Sequence, residues 1–354
     1  MLWAALPANA TPIRIATYNV DMSRKGPGLL LRDILSGKDA QTIATVDVIT
    51  QAAPDILLLN GFDYDLNLAA LQALAGALTQ RGATYPHLFA RRPNTGFTTG
   101  LDMDGDGRVG GPGDAQGFGD FAGEGGMAIL SRLPIDEGAM QDYTEFLWKD
   151  LPDSLIAGAK LSTAALAVQR LSTTAHWAVP VALPDGGRLT LLAYYASPPV
   201  FDGPEDRNGR RSHDETAFWQ QLLDGDLSWP VPSAPFVILG DANLDPVDGD
   251  GLHAAMVSLL ADPRLQDPAP RSLGGADAVN QGGVNALNLG DPALDTVDWP
   301  DDPGPGNLRV DYVLPSSDLT VLDAGVWWPE DVALGVAAAK ASRHRLVWVD
   351  IDLP

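Results

Sequence analysis

The 354-residue chain carries 46 Asp and Glu against 23 Lys and Arg, a formal net charge of −23. Nucleic-acid binding draws much of its free energy from cations that neutralise backbone phosphates, so this balance argues against tight nucleic-acid binding; it favours a small phosphorylated ligand, a cation or a protein surface, unless it serves solubility alone. Hydrophobic residues make up 45% of the chain and cysteine is absent, so a full core is available, disulfides and thiolate metal sites are excluded, and no run reaches the roughly 20 apolar residues of a membrane span.

The opening MLWAALPANA joins a short apolar stretch to a small-x-small ending at Ala8-Asn9-Ala10, like the tail of a secretory signal without its charged start. Residues 1–12 are read as a signal remnant or an apolar arm. The protein is expected to be secreted or periplasmic, with a cytoplasmic location as the alternative. From Ile13 to Val20 the residues alternate as a strand does. A helix is expected over about Ala40–Ala52, ended by Pro54-Asp55. The uniformly apolar Ile56–Leu59 reads as a strand covered on both faces. Leu66–Leu78, rich in Ala and Leu, reads as a helix, and residues 94–126, rich in Gly, Asp and Pro, as a long surface loop.

Further strands are expected at Met127–Ser131 and near Trp177–Val181, Leu189–Tyr194, Phe236–Leu239, Val310–Leu314 and Leu346–Ile351. Helices are expected around Asp214–Leu223 and Leu252–Leu260, and Gly274–Pro305 reads as loop. With no internal repeat and no clean linker, residues 13–354 are expected to form a single domain of two packed sheets with outer helices.

Four segments in order place polar residues at strand edges: ATYNV (16–20), GDANLDP (240–246), RVDYVLPS (309–316) and SRHRLVWVDI (342–351). This series resembles the endonuclease/exonuclease/phosphatase superfamily over nearly the whole chain. The blocks SPPVFDGPEDRNGRRSHDE (197–215) and LDMDGDGRVGGPGDAQGFGDF (101–121) are similar to segments of a secreted bacterial branch of it. The resemblance implies an α/β fold, a four-layer sandwich of two mixed β-sheets flanked by helices. It implies metal-assisted hydrolysis of a phosphate ester, which needs an activated water, charge neutralisation at phosphorus and an orienting shell.

By the same resemblance Asn19 is a metal-side ligand, Asp241 and Asn243 the water-activating pair, and Asp311 the partner that orients the catalytic His344. Three positions depart from the pattern. Gly61 stands where a metal-binding Glu is expected, Arg343 where an Asp precedes the His, and Tyr195 where a His is expected. Two carboxylates are thereby lost and one guanidinium gained. An Arg about 4 Å from a divalent ion is repelled by roughly 8 kcal/mol at an effective dielectric of about 20. This weighs against Mg²⁺ or Mn²⁺ in the usual geometry, unless Asp63 or Asp65 substitutes for the Glu. Two readings follow: a phosphoesterase of weak or altered activity, in which Arg343 takes part of the metal's role, or an inactive relative that serves as a ligand- or protein-binding module.

Asp102, Asp104 and Asp106 alternate like the start of a calcium loop, with Gly113 at the closing acidic position and Asp114 after it. Ca²⁺ is expected there, the alternative being a Gly/Asp turn. Arg207, Arg210 and Arg211 either cradle phosphate or pair with Glu205, Asp206 and Asp214. Ser212 with Glu215 reads as a helix capping box. His176 is either on the substrate side or packed beside Trp177. The expected partner is a phosphorylated small molecule or phosphodiester, and the expected state a monomer.

Overall fold

The computed structural model describes residues 12–184 and 186–352. Residues 1–11, and with them nearly all of the leader-like stretch, lie outside the described residues. The chain runs through β1 (Ile13–Met22), α1 (Leu29–Ser36), α2 (Ala40–Ala52), β2 (Ile56–Phe62), α3 (Ala69–Gln80), β3 (His87–Phe89) and β4 (Gly126–Ser131). It continues through β5 (Gln141–Asp142), α4 (Thr163–Val168), β6 (Ala175–Ala182), β7 (Arg188–Tyr195), α5 (Arg207–Asp224) and β8 (Phe236–Asp241). The last third holds α6 (Ala254–Leu260), α7 (Leu273–Ala278), β9 (Val297–Asp298), β10 (Asn307–Leu308), β11 (Asp311–Pro315), β12 (Thr320–Trp327), α8 (Val332–Ala341) and β13 (Leu346–Asp352).

One sheet has the order β12-β13-β1-β2-β4-β3 and the other β11-β8-β7-β6-β5, with β9 and β10 as a separate ribbon. Both main sheets are mixed: β1 runs parallel to β2 but antiparallel to β13, and β8 runs parallel to β7 but antiparallel to β11. Apolar side chains from the facing surfaces, including Ile15, Leu58, Trp177, Leu191 and Val349, form the core between the sheets. A second cluster packs the outer face of the first sheet on α1, α2 and α3. A third packs the second sheet on α5 and α6 around Trp148, Phe218 and Trp219. These are the expected layers, helix, sheet, sheet, helix. Every residue of β2 is buried, which is why its first four residues, Ile56–Leu59, are all apolar rather than alternating.

Several boundaries differ from the sequence reading. The expected helix at Leu66–Leu78 is a 3₁₀ turn at Leu66–Leu68 followed by α3, because Asn67 and Leu68 take left-handed conformations. The helix expected from Asp214 begins at Arg207 instead, so Ser212 is buried inside it and caps nothing. Gly274–Pro305 is not all loop: it holds most of α7, three 3₁₀ turns and β9. The edge strand β12 and helix α8 were not anticipated. β12 is largely exposed through its first half, so it lacks the apolar alternation that marks a strand.

Candidate active site

Sheet pairing brings the motif residues together. Antiparallel β11 begins where β8 ends, so Asp311 stands opposite Asp241; parallel β7 ends beside the same residue, so Tyr195 also pairs with Asp241. Asn19 comes from the facing sheet, near the end of β1. His344 precedes β13, which pairs antiparallel with β1 over Ile13–Thr17 and begins beside Thr17. The Ser342 hydroxyl donates to the Asn19 carbonyl at 2.7 Å and accepts from the His344 N–H at 3.0 Å, tying the C-terminal motif to the first strand.

Asp241 and Asp311 are completely buried and His344 nearly so. The Asn19 amide donates to Asp241 Oδ2 at 2.8 Å and to the Tyr195 hydroxyl at 3.3 Å. The Asn243 N–H donates to Asp241 Oδ1 at 2.8 Å, and its side-chain amide to the Ala196 carbonyl at 2.9 Å. His344 Nδ1 lies 2.8 Å from Asp311 Oδ2 and 3.9 Å from Asp241 Oδ2. A carboxylate only accepts, so Nδ1 carries the proton and Nε2 is left for water or substrate. Thr296 Oγ1 donates to Asp311 Oδ2 at 2.9 Å while accepting the N–H groups of Val310 and Asp311.

Burial and then the neighbouring Asp311 push the Asp241 carboxyl well above the ordinary carboxylate range. For His344 burial acts downward, but Asp311 and Asp241 outweigh it and the net shift is upward. Burial and then Asp241 raise the Tyr195 phenol, which stays protonated and able to donate at neutral pH.

The Asp/His half of the site fits a cation. Asp241, Asp311 and His344 each offer a ligand atom, all within 4.8 Å of one another, and Asp311 Oδ1 is buried without a hydrogen-bond partner. The Asn19 half does not fit. Val20 and Asp21 of β1 face the single residue Gly61 of β2, a β-bulge. Gly61 has φ +67°, and a Cβ built there would lie 2.5 Å from Asn19 Oδ1 and 3.2 Å from the Asp21 nitrogen. Asn19 Oδ1 itself accepts the Asp21 N–H at 3.0 Å. Neither acidic neighbour moves in: Asp63 accepts the N–H groups of Arg24 and Gly125, and Asp65 caps α3 through the N–H groups of Ala69 and Ala70. Burial raises Asp63 to about 6. Arg343 pairs with Asp21, two residues beyond Asn19, at 3.2 Å.

Other expected residues lie elsewhere. His176 is fully buried among Tyr194, Phe218 and Trp219. Its Nε2 bonds the Glu215 carbonyl and its Nδ1 the Ser172 hydroxyl, so it faces the core. Arg211 donates to the carbonyls of Leu171, Gln116, Arg170 and Ser172. Arg207 reaches Met103 O and Gln169 Oε1, and Arg210 the Glu205 carbonyl. None of the three pairs with the carboxylates of Glu205, Asp206 or Asp214; they brace loops onto α5, and Arg207 and Arg211 also line a cavity beside Tyr195. Glu215, far from capping a helix, is buried and accepts the N–H groups of Thr173 and Ser197. Asp102, Asp104 and Asp106 do gather, within 4.8 Å; Asp114 closes their loop by accepting the N–H groups of Met103, Gly110 and Gly111.

Sequence reasoning missed Thr296 and Asp21. Asp21 lies two residues beyond Asn19, a weak signal. Thr296 had none, being 15 residues before Asp311 in a stretch read as loop. Beside Tyr195 opens a cavity of about 850 Å³ between the 94–126 loop and the start of α5, with Asp104, Glu124, Phe118, Phe201 and Arg207 on its walls.

The fold has known counterparts. Similar solved structures include an endonuclease/exonuclease/phosphatase from Beutenbergia cavernae DSM 12333, 19% identical with a TM-score of 0.57, covering 97% of this chain and 72% of that one. A family protein from Leptotrichia buccalis C-1013-b is 17% identical with a TM-score of 0.52, covering 96% and 100%. The human Nocturnin catalytic domain with bound sulfate is 12% identical with a TM-score of 0.50, covering 96% and 94%. No curated protein matches. The model of the Endonuclease/Exonuclease/phosphatase family matches residues 16–344, a span that runs from the strand bearing Asn19 to His344 itself, and the chain belongs to that family.

Proposed function

We propose that this protein is a hydrolase of small phosphoesters with weak or altered turnover, its Asp/His half complete and its usual metal half rebuilt. The observation that carries the reading is the buried set Asn19, Asp241, Asp311 and His344. Two carboxylates packed together out of water are costly to hold, and arrangements that perturb titrating groups in a cleft are characteristic of functional sites.

In this reading Asp241, oriented by Asn19 and the Asn243 N–H, positions the attacking water and accepts its proton. His344, held by Asp311, presents Nε2 to the phosphoryl or leaving oxygen. A divalent ion held by the Asp241 and Asp311 carboxylates would supply charge neutralisation at phosphorus. The acidic walls of the cavity beside Tyr195 favour a small substrate over a polynucleotide. The reading includes Ca²⁺ in the Asp102–Asp106 loop, export from the cytoplasm, and a monomer.

The test is hydrolysis of p-nitrophenyl phosphate and bis-(p-nitrophenyl) phosphate in Mg²⁺, Mn²⁺, Ca²⁺ or EDTA. Turnover that disappears in Asp241→Ala and His344→Ala supports the reading. A wild type no faster than these variants under every condition sinks it and leaves the binding module, which Gly61 and Arg343 favour.

A further inference from the structure

The Asn19 side of the cleft lacks its carboxylate ligand, and its backbone leaves no room for one. Gly61 is left-handed, and the bulge of β1 puts the Asp21 backbone beside it. The same bulge carries the Asp21 side chain to the Arg343 guanidinium. Asp21 holds that guanidinium through a single nitrogen at 3.2 Å, and no other hydrogen bond engages the Arg343 side chain among the described residues. Most of its N–H fork is therefore unused. The Arg343 main chain is anchored: its carbonyl accepts from the Asp298 N–H and from Arg345, and its neighbours Ser342 and His344 are tied to Asn19 and Asp311. The Asp21 N–H donates to Asn19 Oδ1 at 3.0 Å, and the Asn19 amide donates to Asp241 Oδ2 at 2.8 Å, so the pair adjoins the catalytic set.

We infer that the Asp21–Arg343 pair replaces the missing half of the metal shell: Arg343 binds a phosphoryl group directly, so the cleft takes a phosphate without a divalent ion. A planar guanidinium matches two phosphate oxygens at once and carries its charge at every working pH. The Asp21 carboxylate engages one nitrogen of the fork and leaves the others for the phosphoryl group. This inference rests on the phosphoester reading above.

The experiment is a calorimetric titration of the full chain with inorganic phosphate in EDTA. The wild type is expected to bind, Arg343→Ala to bind about tenfold or more weakly, and Arg343→Lys to fall between. Arg32→Ala, which removes an exposed arginine on α1, is expected to match the wild type. Binding unchanged in Arg343→Ala, binding that appears only with Mg²⁺ or Mn²⁺, or no binding under any condition overturns the inference. Metal-supported turnover without phosphate binding in EDTA would do so while leaving the phosphoester reading standing. Phosphate binding in EDTA without any turnover would instead sink hydrolysis and keep the site.

Discussion

His344 Nδ1 lies 2.8 Å from Asp311 Oδ2, and that same oxygen accepts the Thr296 hydroxyl at 2.9 Å. One carboxylate oxygen therefore sets both the ring orientation and the proton position of His344. In Asp311→Asn the amide cannot accept from both donors and keep the charge. Turnover of p-nitrophenyl phosphate should fall by about 10²–10⁴-fold, the scale of a lost general acid–base partner, with little change in KM. Because Asp311 helps raise His344 against burial, the protonated ring persists above its ordinary range in the wild type. Activity that needs that proton falls as pH rises through the folded value, and in Asp311→Asn this fall should move to lower pH. A pH–rate profile measures it, and an unmoved limb would remove Asp311 from this role.

Restoring the family's carboxylate at position 61 should fail. Gly61→Glu forces a side chain onto φ +67° and a Cβ to 2.5 Å from Asn19 Oδ1. The left-handed backbone alone costs about 1–2 kcal/mol, and displacing Asn19 breaks its hydrogen bond to Asp241. The variant should be less stable in urea unfolding. Gly61→Glu combined with Arg343→Asp should gain no metal-dependent turnover; a gain would show that the bulge at Asp21 rearranges.

Stability should decline in acid through His176. Burial pushes this ring down to about 4, against 6.5 for a free histidine. The unfolded chain therefore takes the proton before the native state does. The stabilising contribution is complete above the unfolded value and is lost as pH falls from about 6.5 towards 4, by roughly 3 kcal/mol at most. Urea unfolding of the wild type and His176→Gln between pH 7 and pH 4.5 measures the difference. The variant should be less stable at pH 7 and should show the shallower slope; parallel curves would contradict the assignment.

Calcium should stabilise the 101–114 loop if the Asp102, Asp104 and Asp106 carboxylates receive it. At about one hundred times Kd, a ligand that binds only the native state adds about 2.7 kcal/mol. Thermal unfolding in calcium against EDTA should show an upward shift that Asp104→Asn abolishes. An equal Tm in both solutions would identify the loop as a plain Gly/Asp turn, its carboxylates capping the N–H groups of Gly105, Asp106, Gly107 and Arg108.

The segments around Asn19, Asp241, Asp311 and His344 were legible because each closes or opens an apolar strand, and the strand period aims alternate side chains at one face. The uniformly apolar run Ile56–Leu59 of β2 announced a strand covered on both sides. The arginines of α5 were not legible. Arg207, Arg210 and Arg211 stand among acidic neighbours in sequence, yet their partners are carbonyls and an amide oxygen, several of them in loops far away along the chain. His176 was equally opaque, since a histidine beside a tryptophan reads the same whether its ring enters a cleft or a core.

The sequence by itself determined the two-sheet architecture and the kinds of group available at the sheet ends, because both follow from local periodicity and residue chemistry. Only the tertiary structure decided which of those groups remain free to act. Asp63, Asp65 and Arg211 are committed to backbone partners, whereas Asp311 Oδ1 and most of the Arg343 guanidinium are not. That division depends on where loops remote in sequence place their N–H and C=O groups. It also depends on a single extra residue at the Asp21 bulge, which no local pattern encodes.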